Sequence, residues 1–190
     1  MIIGKLHWKA HAHAKRDFKE IFLAEIISIT GGILAGALLA SIFNKILLLP
    51  GLLILIPGFL ELRGNISGAL AARIGSALDA NLIKPKIIQK YTIENFIATF
   101  VEVLVVSLVL AGIAYFFTYV VLGQATLNIF IVAIIAAVLS NLIESSSTIF
   151  FTFFLFKKGH DPNNIMGPYV TTSGDIIAML SLAAAILLVP

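Results

Sequence analysis

Cysteine is missing from all 190 residues, so neither disulfides nor thiol chemistry can be built into this chain. Charge is scarce: 12% of residues are Asp, Glu, Lys or Arg, about half the share of an ordinary soluble domain. Histidine is confined to His7, His11, His13 and His160, outside the long apolar runs. Zinc or copper sites within those runs are thereby excluded. What is present is apolar: 59% hydrophobic residues and a mean hydropathy of +1.04. So little polar surface cannot cover a water-soluble fold.

About 20 apolar residues in helical form cross the ~30 Å hydrocarbon of a bilayer, and this chain holds five such runs. They predict spans over Ile21–Phe43, Ile46–Asp79, Phe96–Leu122, Leu127–Phe156 and Pro168–Val189. The fold class is therefore an all-α polytopic membrane protein, with residues 21–190 forming one five-helix domain. Residues 1–20, with Lys5, Lys9, Lys15, Arg16, Lys19 and Trp8, read as a basic cytoplasmic or interfacial arm. No apolar core precedes these cations, so the arm is not a cleavable signal. His7 and His11 share the spacing of one helix face, but no carboxylate or cysteine completes a metal site there.

The pI of 9.2 comes from lysines flanking the spans, which implies orientation and contact with anionic lipid rather than nucleic acid. The arm, Lys84–Lys90 and Lys157-Lys158 fall on one side, and Lys45 stands alone on the other. The positive-inside rule then places the chain in the cell membrane with a cytoplasmic N-terminus and an extracellular C-terminus.

The stretch from Pro50 to Asp79 breaks the apolar pattern most. Pro57, Gly58, Glu61, Arg63, Gly64 and Asn65 lie where a span should be greasy. Polar groups at such depth mark paths or binding sites. Glu61 and Asn65 are four apart and share a helix face, and Gly64, Gly68, Ala72 and Ser76 repeat at the same interval. That small-residue stripe, like Gly32 and Gly36 in the first span, suits close helix contact. A helix from Ile46 to Asp79 would be ~50 Å long at 1.5 Å per residue, so a bend near Pro57-Gly58 or Gly64 is expected.

Helical rise then estimates depth. Glu61 falls ~22 Å from the outer edge, Asp175 ~10 Å from the inner edge, Glu144 ~25 Å down its span, and Glu25 about one turn inside. Four acids from four helices are expected in the inner third of the membrane, with Glu102 nearer the middle. Each has a structural alternative. Glu25, near an interface, can pair with Lys19 or snorkel. Glu144 can pair with Arg63 or Arg73, or hydrogen-bond to Ser145–Thr148. Glu102 can be a protonated acid bonded to a neighbouring helix, and Glu61 can clamp Arg63. Asp175, on a span with no cation, has the weakest such alternative.

Carboxylate, hydroxyl and carbonyl oxygens around a wet path suit a hard cation such as Mg2+, which keeps much of its water. One chain supplies few charges. A two-fold dimer that sets Asp175 opposite its symmetry mate would double them.

Pro57-x3-Glu61-x2-Gly64-Asn65 resembles the second-helix motif of MgtE-type magnesium channels, an acidic residue followed three positions later by Gly-Asn. The wording LELRGNISGALAARIGSAL is closer still to the eukaryotic solute-carrier branch and its archaeal relatives. Asp161-Pro162, Gly167-Pro168-Tyr169-Val170-Thr171-Thr172 and Asp175 are similar to the family's pattern at its last helix. The resemblance covers essentially the whole chain. It implies a homodimeric five-helix domain with an ion path along the dimer axis. It further implies that Asp175 is the pore aspartate holding hydrated Mg2+, that the Thr171 carbonyl assists, and that Asn65 and Glu61 line the path. Ser67-Gly68 replaces the family's second Gly-Asn, and Ala178 replaces a glycine after Asp175. Twenty residues ahead of the first span are too few for soluble regulatory domains, so gating through such domains is not expected.

Three functions compete. The leading one is a divalent-cation channel or transporter, most readily for Mg2+. A Na+- or H+-coupled exchanger would use Glu102 and Glu144 as extra acids. A non-conducting assembly subunit would use the same small-residue stripes. An intramembrane metalloenzyme would need several acids on one helix pair, and here each span supplies about one; the chain is not expected to be an enzyme.

Overall fold

A computed structural model of the chain describes residues 2–189, with side chains placed for Lys15 and from Asp17 onward. The three N-terminal histidines and Trp8 lie outside the described side chains. Five helices follow one another: α1 Ile2–Leu47, α2 Leu52–Asp79, α3 Lys90–Leu122, α4 Asn128–Lys157 and α5 Pro162–Leu188. All five are long and apolar enough to cross a membrane, α1 through its Asp17–Leu47 portion.

The chain turns where side chains permit it. Asn44-Lys45, expected as the first turn, is helical, and the reversal comes at Leu48–Gly51. Gly51 adopts φ 96°, and a Cβ there would stand 2.6 Å from Thr118 Oγ1, so only glycine fits. Starting at Leu52 rather than Ile46, α2 has 28 residues, about 42 Å at the helical rise. It continues as helix through Pro57, Gly58 and Gly64, still longer than the ~30 Å hydrocarbon. Gly123, at φ 68°, closes α3 in the left-handed conformation typical of a helix C-terminus. Asp161 caps α5, its carboxylate accepting from the Asn163 N–H at 2.8 Å, with Pro162 in the first turn. The last span thus begins at Pro162, and Pro168 lies inside it.

α2 and α4 touch each other and each packs on both α3 and α5, while α1 packs on α5 and barely touches α2. Close packing uses small residues: Ala111 and Ala114 of α3, Ala133, Ala136 and Ala137 of α4, and Ala178 and Ala185 of α5 are fully buried. Large exposed side chains such as Ile27, Val105, Phe116 and Phe150 cover the outside, as a hydrocarbon solvent requires.

α1 reaches α5 through the face that carries Gly31 and Ala35 rather than through Gly32 and Gly36. Gly31 and Ala35 are buried, and a side chain on Gly31 would collide with Thr172. Gly32 and Gly36 have nothing near them within this chain. Thr172 also donates to Ser28 Oγ at 2.6 Å, while Asn164 donates to Asp17 at 3.2 Å and His160 meets Glu20 at 2.9 Å.

Candidate functional site

A cleft of about 350 Å³ opens between α2 and α5, lined by Pro57, Leu60, Glu61, Gly64, Asn65, Thr171 and Asp175. The four residues singled out in the sequence all reach it. Periodicity explains this: Glu61 and Asn65 stand one turn apart on α2, and Thr171 and Asp175 one turn apart on α5. Asn65 Nδ2 donates to Glu61 Oε1 at 3.3 Å, which leaves that carboxylate with unused lone pairs. Thr171 Oγ1 donates back to the Gly167 carbonyl at 3.1 Å, so its hydroxyl oxygen remains an acceptor. Asp175 is half-buried and, among the described residues, receives no hydrogen bond. Gly64 adds no side chain to the wall, and a Cβ placed there would meet nothing.

The cleft is lined by oxygen donors and no nitrogen cation, which suits a hard metal ion with water. It is not a closed cage: among the described residues, no group of three or more His, Cys, Asp or Glu side chains is gathered to hold a metal.

Of the four acids expected at one depth, the cleft itself holds Glu61 and Asp175. Asp175 lies ~20 Å along α5, because that helix starts at Pro162 rather than Pro168. Glu25 is exposed on α1, without an ion pair to Lys19. Glu102 is exposed on the outer face of α3 and bonds no neighbouring helix among the described residues. Glu144 is fully buried and paired with the Arg63 guanidinium, which is equally buried. Glu61 therefore does not clamp Arg63.

This ion pair anchors a network behind the cleft. Arg63 Nη1 approaches Asn141 Oδ1 at 3.5 Å, Ser145 Oγ donates to the same oxygen at 2.9 Å, and Asn141 Nδ2 donates to Thr99 Oγ1 at 3.3 Å. Among the described residues, the buried Arg63 Nε and Thr148 Oγ1 have no hydrogen-bond partner. Sequence reasoning weighed the Arg63–Glu144 pair but missed Thr99 and Asn141. The helical spacing of Asn141, Glu144, Ser145 and Thr148 along one face of α4 was the available signal.

No curated protein matches the chain. Residues 56–185 match the MgtE family of divalent cation transporters, from within α2 to near the end of α5 and therefore across the cleft. That match spans most of the chain, which is a polytopic all-α transport protein rather than an enzyme and belongs to the MgtE divalent cation transporter family.

Proposed function

We propose that the α2–α5 cleft is the cation site of this transporter and that Mg2+ is its substrate. The reading is carried by one observation: Glu61 and Asn65, and Thr171 and Asp175, lie far apart in the chain yet line the same cleft. Asp175 is the principal ligand, acting largely through water, with Glu61, Asn65 and Thr171 assisting. A volume of about 350 Å³ against ~30 Å³ per water leaves room for an ion that keeps most of an octahedral water shell. A carboxylate in such a narrow path attracts a divalent ion far more strongly than it would in bulk water.

One chain brings two carboxylates, matching the charge of one divalent ion but enclosing only one side of it. We read the path as completed by a second copy across a two-fold axis, the stripe Gly64, Gly68, Ala72 and Ser76 forming the contact. In support, that stripe is largely uncovered in the single chain. The α2 wording favours the solute-carrier branch of the family, and loop charge favours a cytoplasmic N-terminus. The exchanger alternative drew on Glu102 and Glu144. One of these lies on the outer surface and the other is committed to Arg63, so neither supports it.

The test is Mg2+ uptake into proteoliposomes holding equal amounts of parent, Asp175→Asn and Glu25→Gln protein. Asp175→Asn keeps the shape and removes the charge, and it is expected to lower uptake by at least about tenfold, while Glu25→Gln transports like the parent. Parent-like transport by Asp175→Asn would place the path elsewhere in the bundle. Uptake that requires an opposing Na+ or proton gradient would restore the exchanger.

A further inference from the structure

The carboxylate of Glu144 occupies a place that the cation site itself does not explain. It stands between the two helices that line the cleft. On one side it accepts from Arg63, which lies on α2 between Glu61 and Asn65. On the other it is set into the notch left by Gly174, the residue before Asp175 on α5. A methyl group on Gly174 would stand 2.6 Å from Glu144 Oε1 and 3.1 Å from its Cδ. The first is closer than side-chain carbons come to such an atom and the second is tight, so carboxylate or helix would have to move.

We propose that Glu144 is a positioning residue for the cation cleft, a wedge that sets the separation of α2 and α5 and hence of Glu61 and Asn65 from Thr171 and Asp175. Several features make the wedge stiff. Glu144 has no exposed surface, and neither does Arg63. The neighbouring Asn141 ties into Ser145 on the same helix and Thr99 on α3, so the wedge is braced from behind. Glycine at 174 is required by this contact and not by backbone conformation, since 174 is an ordinary interior position of α5.

The proposal rests on the cleft being the cation site. It makes a size-matching demand that a general loss of stability does not. Gly174→Ala adds one carbon where Glu144→Asp withdraws one, so the two changes compensate when combined.

Mg2+ binding to the purified full-length protein in detergent, measured by calorimetry with folded content matched, reads the effect. Gly174→Ala is expected to weaken binding by about tenfold or more, since misplacing ligands by a fraction of an ångström is enough to do so. Glu144→Asp alone weakens it by about threefold. The double variant returns to within about threefold of the parent. Parent-like binding by Gly174→Ala, or a double variant no better than Gly174→Ala alone, overturns the proposal. If Gly174→Ala does not fold, Glu144→Asp decides: binding equal to the parent overturns it. Asp175→Asn, measured alongside, separates the two readings. If it binds Mg2+ like the parent, the cleft is not the site. If it abolishes binding while Gly174→Ala and Glu144→Asp leave it intact, the cleft stands and the wedge is wrong.

Discussion

A fully buried guanidinium inside an apolar bundle is tolerable only because a carboxylate meets it, and removing either partner strands the other charge away from water. Glu144→Gln is accordingly expected to destabilise the fold by about 3–5 kcal/mol, whereas Arg63→Met combined with Glu144→Met recovers most of that loss. Thermal unfolding in detergent checks it, and a double variant less stable than Glu144→Gln would mean that the pair does more than neutralise itself. The same contrast explains what could be read from the chain directly. Glu61 with Asn65 and Thr171 with Asp175 were legible because each pair is one helical turn apart, a relation that lives in local sequence. The partner of Glu144 lies 81 residues away, so sequence left Arg63, Arg73 and the serine run open. The notch at Gly174 was invisible for the same reason: it is defined by what α4 places opposite it.

At the scale of helices, span number and order followed from hydropathy, while boundaries and facing surfaces did not. Leu48 and Leu49 are apolar, so they concealed a turn that Gly51 makes possible, and Pro168 looked like a beginning although Asp161 already provides the cap. In α1, two overlapping small-residue pairs satisfy the same spacing, Gly31 with Ala35 and Gly32 with Gly36. Spacing alone cannot say which faces a neighbour; packing against Thr172 selects the first. Gly31→Leu should therefore detach α1 from α5, costing about 1–3 kcal/mol as overpacking does and exposing α1 to protease. Gly32→Leu, pointing away from α5, should leave the digestion pattern of the single chain unchanged. Equal protection of both variants would show that α1 docks through its loop-end bonds to Asn164 and His160 instead.

For the whole molecule, the cleft has one open side, and orientation and assembly decide what reaches it. Loop charge predicts that single cysteines replacing Gln124 and His160 label from opposite sides of the membrane with an impermeant reagent, and labelling from one side would overturn that topology. Assembly permits a sharper test, because Ala72 and Ser76 of the stripe are exposed in the single chain and Gly64 and Gly68 only partly covered. A Cβ on Gly68 meets nothing within 4 Å, so a leucine there can be accommodated without disturbing the packing of α2 on α3, α4 or α5. If the stripe is the two-fold interface, Gly68→Leu holds two α2 backbones apart, since close approach in lipid depends on small side chains. Light scattering in mild detergent should then report a shift from dimer towards monomer with thermal stability unchanged. Mg2+ uptake should fall in parallel, because each cleft loses the carboxylates facing it. A Gly68→Leu protein that stays dimeric and transports normally would remove the stripe from the interface. A parent protein that is monomeric yet transports would mean that a single α2–α5 cleft carries the ion alone.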